Sequence, residues 1–148
     1  MADIFLATIA ATKSLQSLHN KIFPNKQWND AITRAHLSSP YHTFMANDEQ
    51  GLATGYLTIR IIGDEVEIIF TAVDINHRRQ KIGQHLFKHM LGLYPSPPHK
   101  VFLETSQHNI GAICFYKQLG FYKMGIRKNY YGEQDDAITM TLAPSLYQ

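Results

Sequence analysis

The order in which strand patterns and helix patterns follow one another constrains this chain more than any other feature of its sequence. Seven runs rich in β-branched and aromatic residues favour strands at residues 4–9, 41–46, 57–61, 66–73, 101–105, 121–126 and 137–142. Helical patterns cover residues 15–22, 29–39, 82–93 and 109–120. The resulting order, β-α-α-β-β-β-α-β-α-β-β, predicts an α/β fold with a mixed central sheet and helices packed on it.

Capping and helix-breaking residues mark several helix ends. Pro24 ends the first helix, and Asn29 or Asp30 can cap the second. Asn109 opens the last helix, which ends at Gly120, a residue common just beyond a helix end. These signals predict four short helices rather than one long helical segment.

The run at residues 57–61 has the alternation of a strand with one buried face. Leu57, Ile59 and Ile61 alternate with Thr58 and Arg60. Since successive side chains of a strand point to opposite faces, this period predicts apolar residues toward the core and polar residues toward solvent.

Composition narrows the class of protein. A chain of 148 residues, 45% of them hydrophobic and 18% charged, suits one globular domain over residues 1–148. Its apolar runs are too short to span a bilayer, and its start lacks the features of a signal peptide. The single cysteine, Cys114, rules out an internal disulfide and fits the cytoplasm. The formal net charge of +2 is too small to indicate nucleic-acid binding.

A basic loop between a strand and a helix carries the best chemical signal. Arg78, Arg79 and Lys81 lie where residues 71–73 end a strand and a helix begins. The unpaired amides of a helix start bind anions well, and these cations add positive charge. The alternative is a solvated basic turn that binds nothing.

Here the chain resembles the GNAT superfamily of acyltransferases, whose loop reads Arg/Gln-x-x-Gly-x-Gly/Ala and holds the pyrophosphate of coenzyme A. Arg78 and Gly83 match its first and last positions, whereas Lys81 replaces the middle glycine. If that position needs a positive φ, lysine costs about 1 kcal/mol or more. If the position is already helical, lysine costs little.

A glutamate, an asparagine and a tyrosine follow at a defined spacing. Glu104 ends a strand, Asn109 comes five residues later, and Tyr116 comes twelve residues after Glu104. A carboxylate and a phenol that converge can act as an acid/base pair. Taken singly, such a glutamate is more often solvated and such a tyrosine is more often a core aromatic.

Together these residues resemble the ribosomal-protein-alanine N-acetyltransferase branch of GNAT. The resemblance continues through Arg127, the pair Tyr130 and Tyr131, and Asp136-Ala137-Ile138. One departure is Ser106, where members of that branch often carry arginine.

The resemblance implies a GNAT fold, a mixed, mostly antiparallel sheet flanked by helices, and a direct transfer of acetyl from acetyl-CoA within a ternary complex. The implied acceptor is the N-terminal α-amine of a protein, with a ribosomal protein expected. Glu104 is the implied base and Tyr116 the implied acid, and Tyr130 and Tyr131 would hold the peptide. The implied acetyl-CoA contacts are Thr71, Ala72, Val73, Arg78, Arg79, Gln80, Lys81, Ile82, Gly83, Gln84 and Asn109.

Two other functions stay open at this point. One is acetylation of lysine or a small amine on the same fold, because a fold does not fix the substrate. The other is a regulator that binds coenzyme A without catalysis. His85 and His89 have a spacing that can bind zinc, but a surface position and no metal are expected. Cys114 lies between Ile113 and Phe115 and is expected to be buried and inert.

Overall fold

The computed structural model describes residues 3–144, apart from the side chain of Arg79. The predicted order of elements is confirmed. The elements are β1 (Asp3–Leu6), α1 (Thr12–Ile22), α2 (Asp30–His36), β2 (Tyr41–Asn47), β3 (Ala53–Ile62), β4 (Glu65–Val73), α3 (Ile82–Gly92), β5 (Lys100–Ser106), α4 (Ile110–Gln118), β6 (Tyr122–Gly132) and β7 (Asp135–Leu142). Short 3-10 turns lie at Ile9–Ala11 and Ile75–Gln80.

The strands follow the order β1-β2-β3-β4-β5-β7-β6 in one sheet. β4 pairs with β5 in parallel, whereas β1 with β2, β2 with β3, β5 with β7 and β6 with β7 pair antiparallel. The expectation of a mixed, mostly antiparallel sheet is confirmed. The described residues divide into two compact units, the first formed by residues 3–61 and 68–95 and the second by residues 62–67 and 96–144. A single domain over residues 1–148 stays a prediction.

Most predicted element ends are close to those observed, and the largest differences lie in β1, β3 and β6. β3 begins at Ala53, four residues before the predicted strand. β1 stops at Leu6, because Thr8 accepts a hydrogen bond from the Ala10 amide and starts the 3-10 turn. β6 extends to Gly132, six residues beyond the predicted strand. Asn29 and Asn109 cap their helices as expected, and Gly120 follows α4 with a φ of +103°.

The half-buried character predicted for β3 is wrong. Residues 54–59 are all buried, and Ile61 is exposed. Tyr56 packs against His19 of α1, whereas a Cβ on the neighbouring Gly55 would meet Ile82 of α3. Because successive residues point to opposite faces, helices cover both faces of this strand.

A buried polar pair satisfies the hydroxyl groups that β3 places in the core. Thr58 is fully buried, and its hydroxyl lies 2.8 Å from the hydroxyl of Thr43 on β2. Thr43 also donates to the His36 carbonyl at 2.6 Å. Hydrogen bonding removes most of the cost of burying these groups, so a polar residue in a strand sequence does not identify a solvent face.

The second unit has a core of its own on β5 and β7. Val101, Leu103 and Met140 are almost fully buried there, and Leu103 lies opposite Met140 in the antiparallel register. Glu104 follows Leu103 and therefore points to the other face of the sheet. Within residues 3–144, no helix has the length and apolar composition needed to cross a membrane.

Candidate active site

The loop after β4 is anchored by Asp74. The Asp74 carboxylate, on a residue only 3% exposed, accepts a hydrogen bond from Lys21 at 2.7 Å and another from the Asn76 amide. Its own amide donates to the Thr54 carbonyl at 2.8 Å. The Lys21 hydrogen bond lowers the pKa of Asp74, against the opposing effect of burial. Asp74 therefore fixes the start of the loop as an ionised group, a role that sequence reasoning missed.

Lys81 adopts the left-handed conformation, with φ 59° and ψ 29°. The position therefore has the positive φ that favours glycine, and it is not helical. The strain is about 1 kcal/mol or more. Lys81 directly precedes α3, so the left-handed residue turns the chain from the loop into the helix.

The start of α3 is open to an anion. The Lys81 side chain makes no capping hydrogen bond, and the first intrahelical bond runs from the His85 amide to the Lys81 carbonyl. The amides of Ile82, Gly83 and Gln84 precede this bond and have no partner within the helix. Ile82 and Gly83 are buried residues, whereas Gln84 is partly exposed.

The other expected acetyl-CoA contacts of the first unit lie on both sides of Asp74. The register of β4 with β5 spans Glu65–Glu67, and Thr71, Ala72 and Val73 lie beyond it. The Arg78 Nε donates to the Val73 carbonyl at 3.3 Å. The side chains of Arg78, Gln80 and Lys81 are exposed, and the Arg79 side chain lies outside the described part of the chain.

Gly55 permits the close packing of β3 against this loop. A Cβ at Gly55 would lie 3.0 Å from Cγ2 of Ile82 and 3.2 Å from the carbonyl oxygen of Ala72. Any larger residue would push on the first residue of α3. Gly55 lies two residues before the strand predicted at residues 57–61, so the sequence pattern did not mark it as a glycine inside a strand, where such an approach is common.

In the second unit, Glu104 lies on β5 beside a cation. Its Oε1 is 3.2 Å from Nη2 of Arg127, and its side chain is 21% exposed. The Arg127 Cζ also lies 5.3 Å from the centroid of the Tyr130 ring. Glu104 is therefore reachable from solvent and paired with an exposed guanidinium.

The two predicted substrate residues form an exposed aromatic pair. The Tyr130 and Tyr131 rings lie edge to face, 5.1 Å apart, and both residues are about half exposed. Burial raises the pKa of Tyr131, and the negative charge of Glu104 raises it further. The structure thus brings Glu104, Arg127 and this tyrosine pair together.

Tyr116 is buried on α4, with its ring packed at 5.1 Å on Phe115 and at 5.4 Å on Phe121. Its backbone carbonyl accepts from the Phe121 amide at 3.0 Å. Asn109 begins the same helix, and its side-chain oxygen accepts from the Ala112 amide. The acid role of Tyr116 and the acetyl-CoA contact of Asn109 stay predictions.

A bulge in β6 presents the tyrosine pair. Arg127 pairs with Ala137 and Gly132 pairs with Asp135, so β6 uses more residues than β7 between these points. Asp136 holds the bulge, because its carboxylate accepts from the Asn129 amide at 2.9 Å and lies 3.4 Å from Nζ of Lys128. The Asn129 hydrogen bond lowers the pKa of Asp136.

Ser106, which lies where members of the resembled branch often carry arginine, makes two hydrogen bonds of its own. Its hydroxyl donates to the carboxylate of Asp135 and accepts from the His108 amide. Ser106 thus connects the end of β5 to the start of β7 in the second unit.

A stack of three rings in the first unit was missed by sequence reasoning. The Trp28 ring stacks on His19 with centroids 3.6 Å apart and on His36 at 4.1 Å. His19 Nε2 must donate to the Lys26 carbonyl at 2.8 Å, so its Nδ1 accepts from the Tyr56 hydroxyl at 2.6 Å. Burial lowers the pKa of both histidines, and His19 further lowers that of His36.

The expectation that Cys114 is buried is wrong, since it is exposed on α4. Helical position alone could not decide this, because α4 has apolar residues around much of its circumference. His85 is exposed, whereas the His89 ring packs on Phe44 with centroids 6.0 Å apart. Among residues 3–144, no group of three or more His, Cys, Asp or Glu side chains could hold a metal ion.

The sheet order and the match to a family of acyltransferases place the chain in the class of transferases that take acyl groups from coenzyme A. The chain belongs to the acetyltransferase (GNAT) family, which it matches over residues 12–121. It is an acetyl-CoA-dependent N-acetyltransferase.

Relatives and solved structures agree with this family. The chain is 30% identical over 120 residues to a Bacillus subtilis protein described as a candidate ribosomal protein bS18-alanine N-acetyltransferase, covering 80% of each. It is 29% identical to the N-alpha-acetyltransferase RimI of Mycobacterium tuberculosis, covering 76% of this chain and 73% of that one. The ribosomal-protein-S18-alanine N-acetyltransferase of Escherichia coli shares the fold, with a TM-score of 0.83, 24% identity and coverage of 97% and 94%.

Proposed function

We propose that this enzyme acetylates the N-terminal α-amine of a protein, with a ribosomal protein as the acceptor. The observation that carries the proposal is the solvent-accessible Glu104 carboxylate beside the exposed Tyr130–Tyr131 pair. The names of the Bacillus subtilis and Mycobacterium tuberculosis relatives support the same acceptor class. The single thiol of the chain is compatible with the cytoplasm.

The backbone of the first unit supplies the groups for acetyl-CoA. The amides of Ile82, Gly83 and Gln84 meet the pyrophosphate, with Arg78 and Lys81 adding positive charge. The backbone of residues 71–73 pairs with the pantetheine arm and orients the thioester carbonyl. When bound, acetyl-CoA supplies the activated acetyl group that the amine attacks.

The chemistry of the acceptor favours an α-amine over a lysine. An α-amine has an ordinary pKa near 8, so roughly a tenth is already neutral at pH 7. A lysine amine, near 10.4, is neutral in well under about 0.1% of molecules. A carboxylate such as Glu104, taking a proton through water, therefore serves an α-amine more readily.

Tyr116 is the proposed acid for the departing sulfur. An ordinary thiol has a pKa of about 8.5 and an ordinary phenol about 10, so transfer of a proton from phenol to thiolate is only a small step uphill. Packing against Phe115 and Phe121 holds the Tyr116 ring in one orientation. A fixed donor of this kind acts without reorganisation during the reaction.

A panel of acceptors tests the function. Acetyl-CoA and the enzyme are incubated with a peptide carrying the N-terminus of ribosomal protein bS18, the same peptide with a blocked N-terminus and an added lysine, and small amines. Intact-mass analysis should show one acetyl group on the first peptide alone. Modification of the blocked peptide or of the small amines would support the alternative acceptors, and no modification at all would contradict the proposed acceptor.

Calorimetry tests the acetyl-CoA site separately. The double variant Arg78→Glu and Lys81→Glu should bind acetyl-CoA more weakly than the wild type, because it places two carboxylates beside a phosphate site. Equal affinity in a folded variant would contradict the assignment of the loop.

A further inference from the structure

Arg127 contacts both Glu104 and Tyr130, the carboxylate and the aromatic ring of the proposed acceptor site. Its Nη2 lies 3.2 Å from Oε1 of Glu104, and its Cζ lies 5.3 Å from the centroid of the Tyr130 ring. The Arg127 side chain is 60% exposed. A cation of the protein itself is therefore held by one carboxylate and one aromatic face, at the edge of solvent.

A carboxylate and an aromatic face are also the groups that recognise a substrate ammonium ion. The protonated α-amine of an acceptor and the guanidinium of Arg127 need the same Glu104 oxygen and the same Tyr130 face. The pair joins an exposed guanidinium to a partly buried carboxylate, and the guanidinium is well solvated when the two separate, which weakens the pair. Displacement of Arg127 by an incoming ammonium group is therefore an exchange of similar contacts.

We propose that Arg127 is an internal competitor for the acceptor amine and sets the affinity of the acceptor site. The inference rests on the proposed function, because it takes Glu104 and Tyr130 as acceptor contacts. An amine that offers only its charge gains little by replacing Arg127. A peptide that also packs on Tyr131 gains a further contact, so the competition favours peptides over small amines.

The arrangement around Glu104 supports displacement rather than a fixed structural pair. Lys128 is paired with Asp136, so it is not available to replace Arg127 beside Glu104. Asp135 accepts a hydrogen bond from Ser106, so it is not available to replace Glu104 beside Arg127. Asp136, not Arg127, holds the bulge that carries the tyrosines. Release of Arg127 can thus leave the bulge in place.

Steady-state kinetics with the bS18 peptide give the first test. Arg127→Gln should lower the peptide KM about two- to fivefold, the range expected for removal of a weak ion pair with one exposed partner. The acetyl-CoA KM should not change, and Arg127→Lys should return the peptide KM toward the wild-type value. Lys123→Gln removes the same charge from an exposed position of the same strand and should leave the peptide KM unchanged. A peptide KM that rises or stays constant in Arg127→Gln would overturn the inference.

A binding experiment separates this inference from the proposed function. The bS18 peptide, whose free α-amine is the ammonium probe, is titrated into the enzyme without acetyl-CoA while the ¹³C resonance of Arg127 Cζ is followed, with the same peptide N-acetylated as the neutral control. The probe should shift this resonance saturably, the control should not, and Arg127→Gln should bind the probe more tightly, as seen from the Tyr130 ring signals. Displacement of Arg127 without acetylation of the peptide would reject the bS18 N-terminus as the acceptor and leave the competition for an amine at Glu104 and Tyr130 standing. Binding without a shift, equal affinity in Arg127→Gln, or no binding would overturn the inference.

Discussion

The loop after β4 and the bulged hairpin of β6 and β7 use different parts of the chain for recognition. The loop offers backbone amides at a helix start, and its shape depends on a buried carboxylate and one left-handed residue. The hairpin offers exposed side chains, and two of its cations are already paired, Arg127 with Glu104 of β5 and Lys128 with Asp136. Backbone recognition tolerates different side chains, whereas side-chain recognition changes with each substitution.

This difference explains why a lysine can stand at the position where the GNAT loop pattern has its middle glycine. Lys81 accepts the strained conformation, and the amides after it keep their direction. No similar tolerance is expected for Glu104 or Tyr130, because each acts through its own functional group. Substitutions in the two regions should therefore differ in size and in the kinetic parameter they change.

The largest effect is expected from Tyr116→Phe. Loss of the phenol hydroxyl should lower kcat by about 10²- to 10⁴-fold, the usual contribution of a positioned acid, while the ring still packs on its neighbours. Acetyl-CoA affinity, measured by calorimetry, should be nearly unchanged. A folded Tyr116→Phe protein with wild-type kcat under saturating substrates would remove Tyr116 from the mechanism.

Glu104→Gln should have the second-largest effect, a decrease in kcat of about 10²-fold that depends on pH. The loss should be greatest at low pH, where the α-amine is mostly protonated, and should shrink above a pH of about 8, where the amine is already neutral. A pH–rate profile of wild type and variant measures this. If Glu104 only packs the site, the two profiles will have the same shape.

In the loop, Asp74→Asn should mainly change stability and acetyl-CoA affinity. The variant loses a charge-assisted hydrogen bond to Lys21, worth about 1.5–3 kcal/mol, although the exposed Lys21 can return to water. Because the pKa of Asp74 is lowered in the folded protein, its contribution is present above the ordinary pKa of about 3.9 and is lost as the pH falls through the folded value.

Denaturant unfolding at pH 7 and at acid pH, with acetyl-CoA titrations, tests Asp74. The kcat at saturating acetyl-CoA should be retained. A stability difference that is the same at pH 7 and pH 2 would show that the charge of Asp74 is not the cause.

The smallest effect is expected at Lys81, where conformation and charge can be separated. Lys81→Gly should raise the free energy of unfolding by about 1 kcal/mol, because glycine adopts the left-handed conformation without strain. Lys81→Ala removes the same charge and keeps the strain, so it should show no gain. Both variants should bind acetyl-CoA only severalfold more weakly than the wild type, as expected for the loss of one exposed charge. Equal stability of the two variants would rule out strain at this position.

The sequence predicted the order of elements well, because caps and periodicity are local. Asn109 and Gly120 mark the ends of α4 whatever packs against it. The burial of β3 was mispredicted for the opposite reason: whether one face or both are covered depends on α1 and α3, which are distant in sequence. The exposure of Cys114 depends in the same way on what packs against α4.

The candidate site was predictable only as far as family motifs reach. Glu104, Tyr130 and Tyr131 lie close together in the second unit, and the roles that the resemblance implied for them stay predictions. The ion pair of Glu104 with Arg127 and the hydrogen bond of Asp74 with Lys21 join residues that are far apart in the sequence. Local spacing of residues does not predict such contacts. The conformation of Lys81 was one of two stated possibilities, which only the backbone angles could separate.

The ring stack on α1 and α2 provides an optical reporter that needs no label. Trp28 is the single tryptophan of the sequence, so all indole fluorescence of the protein arises between His19 and His36. An imidazolium quenches indole emission, whereas neutral imidazole does so weakly. Since burial lowers the pKa of both histidines, emission should stay high at neutral pH and fall only as the pH drops below about 6.5. Any ligand that moves this part of the first unit should change the same signal.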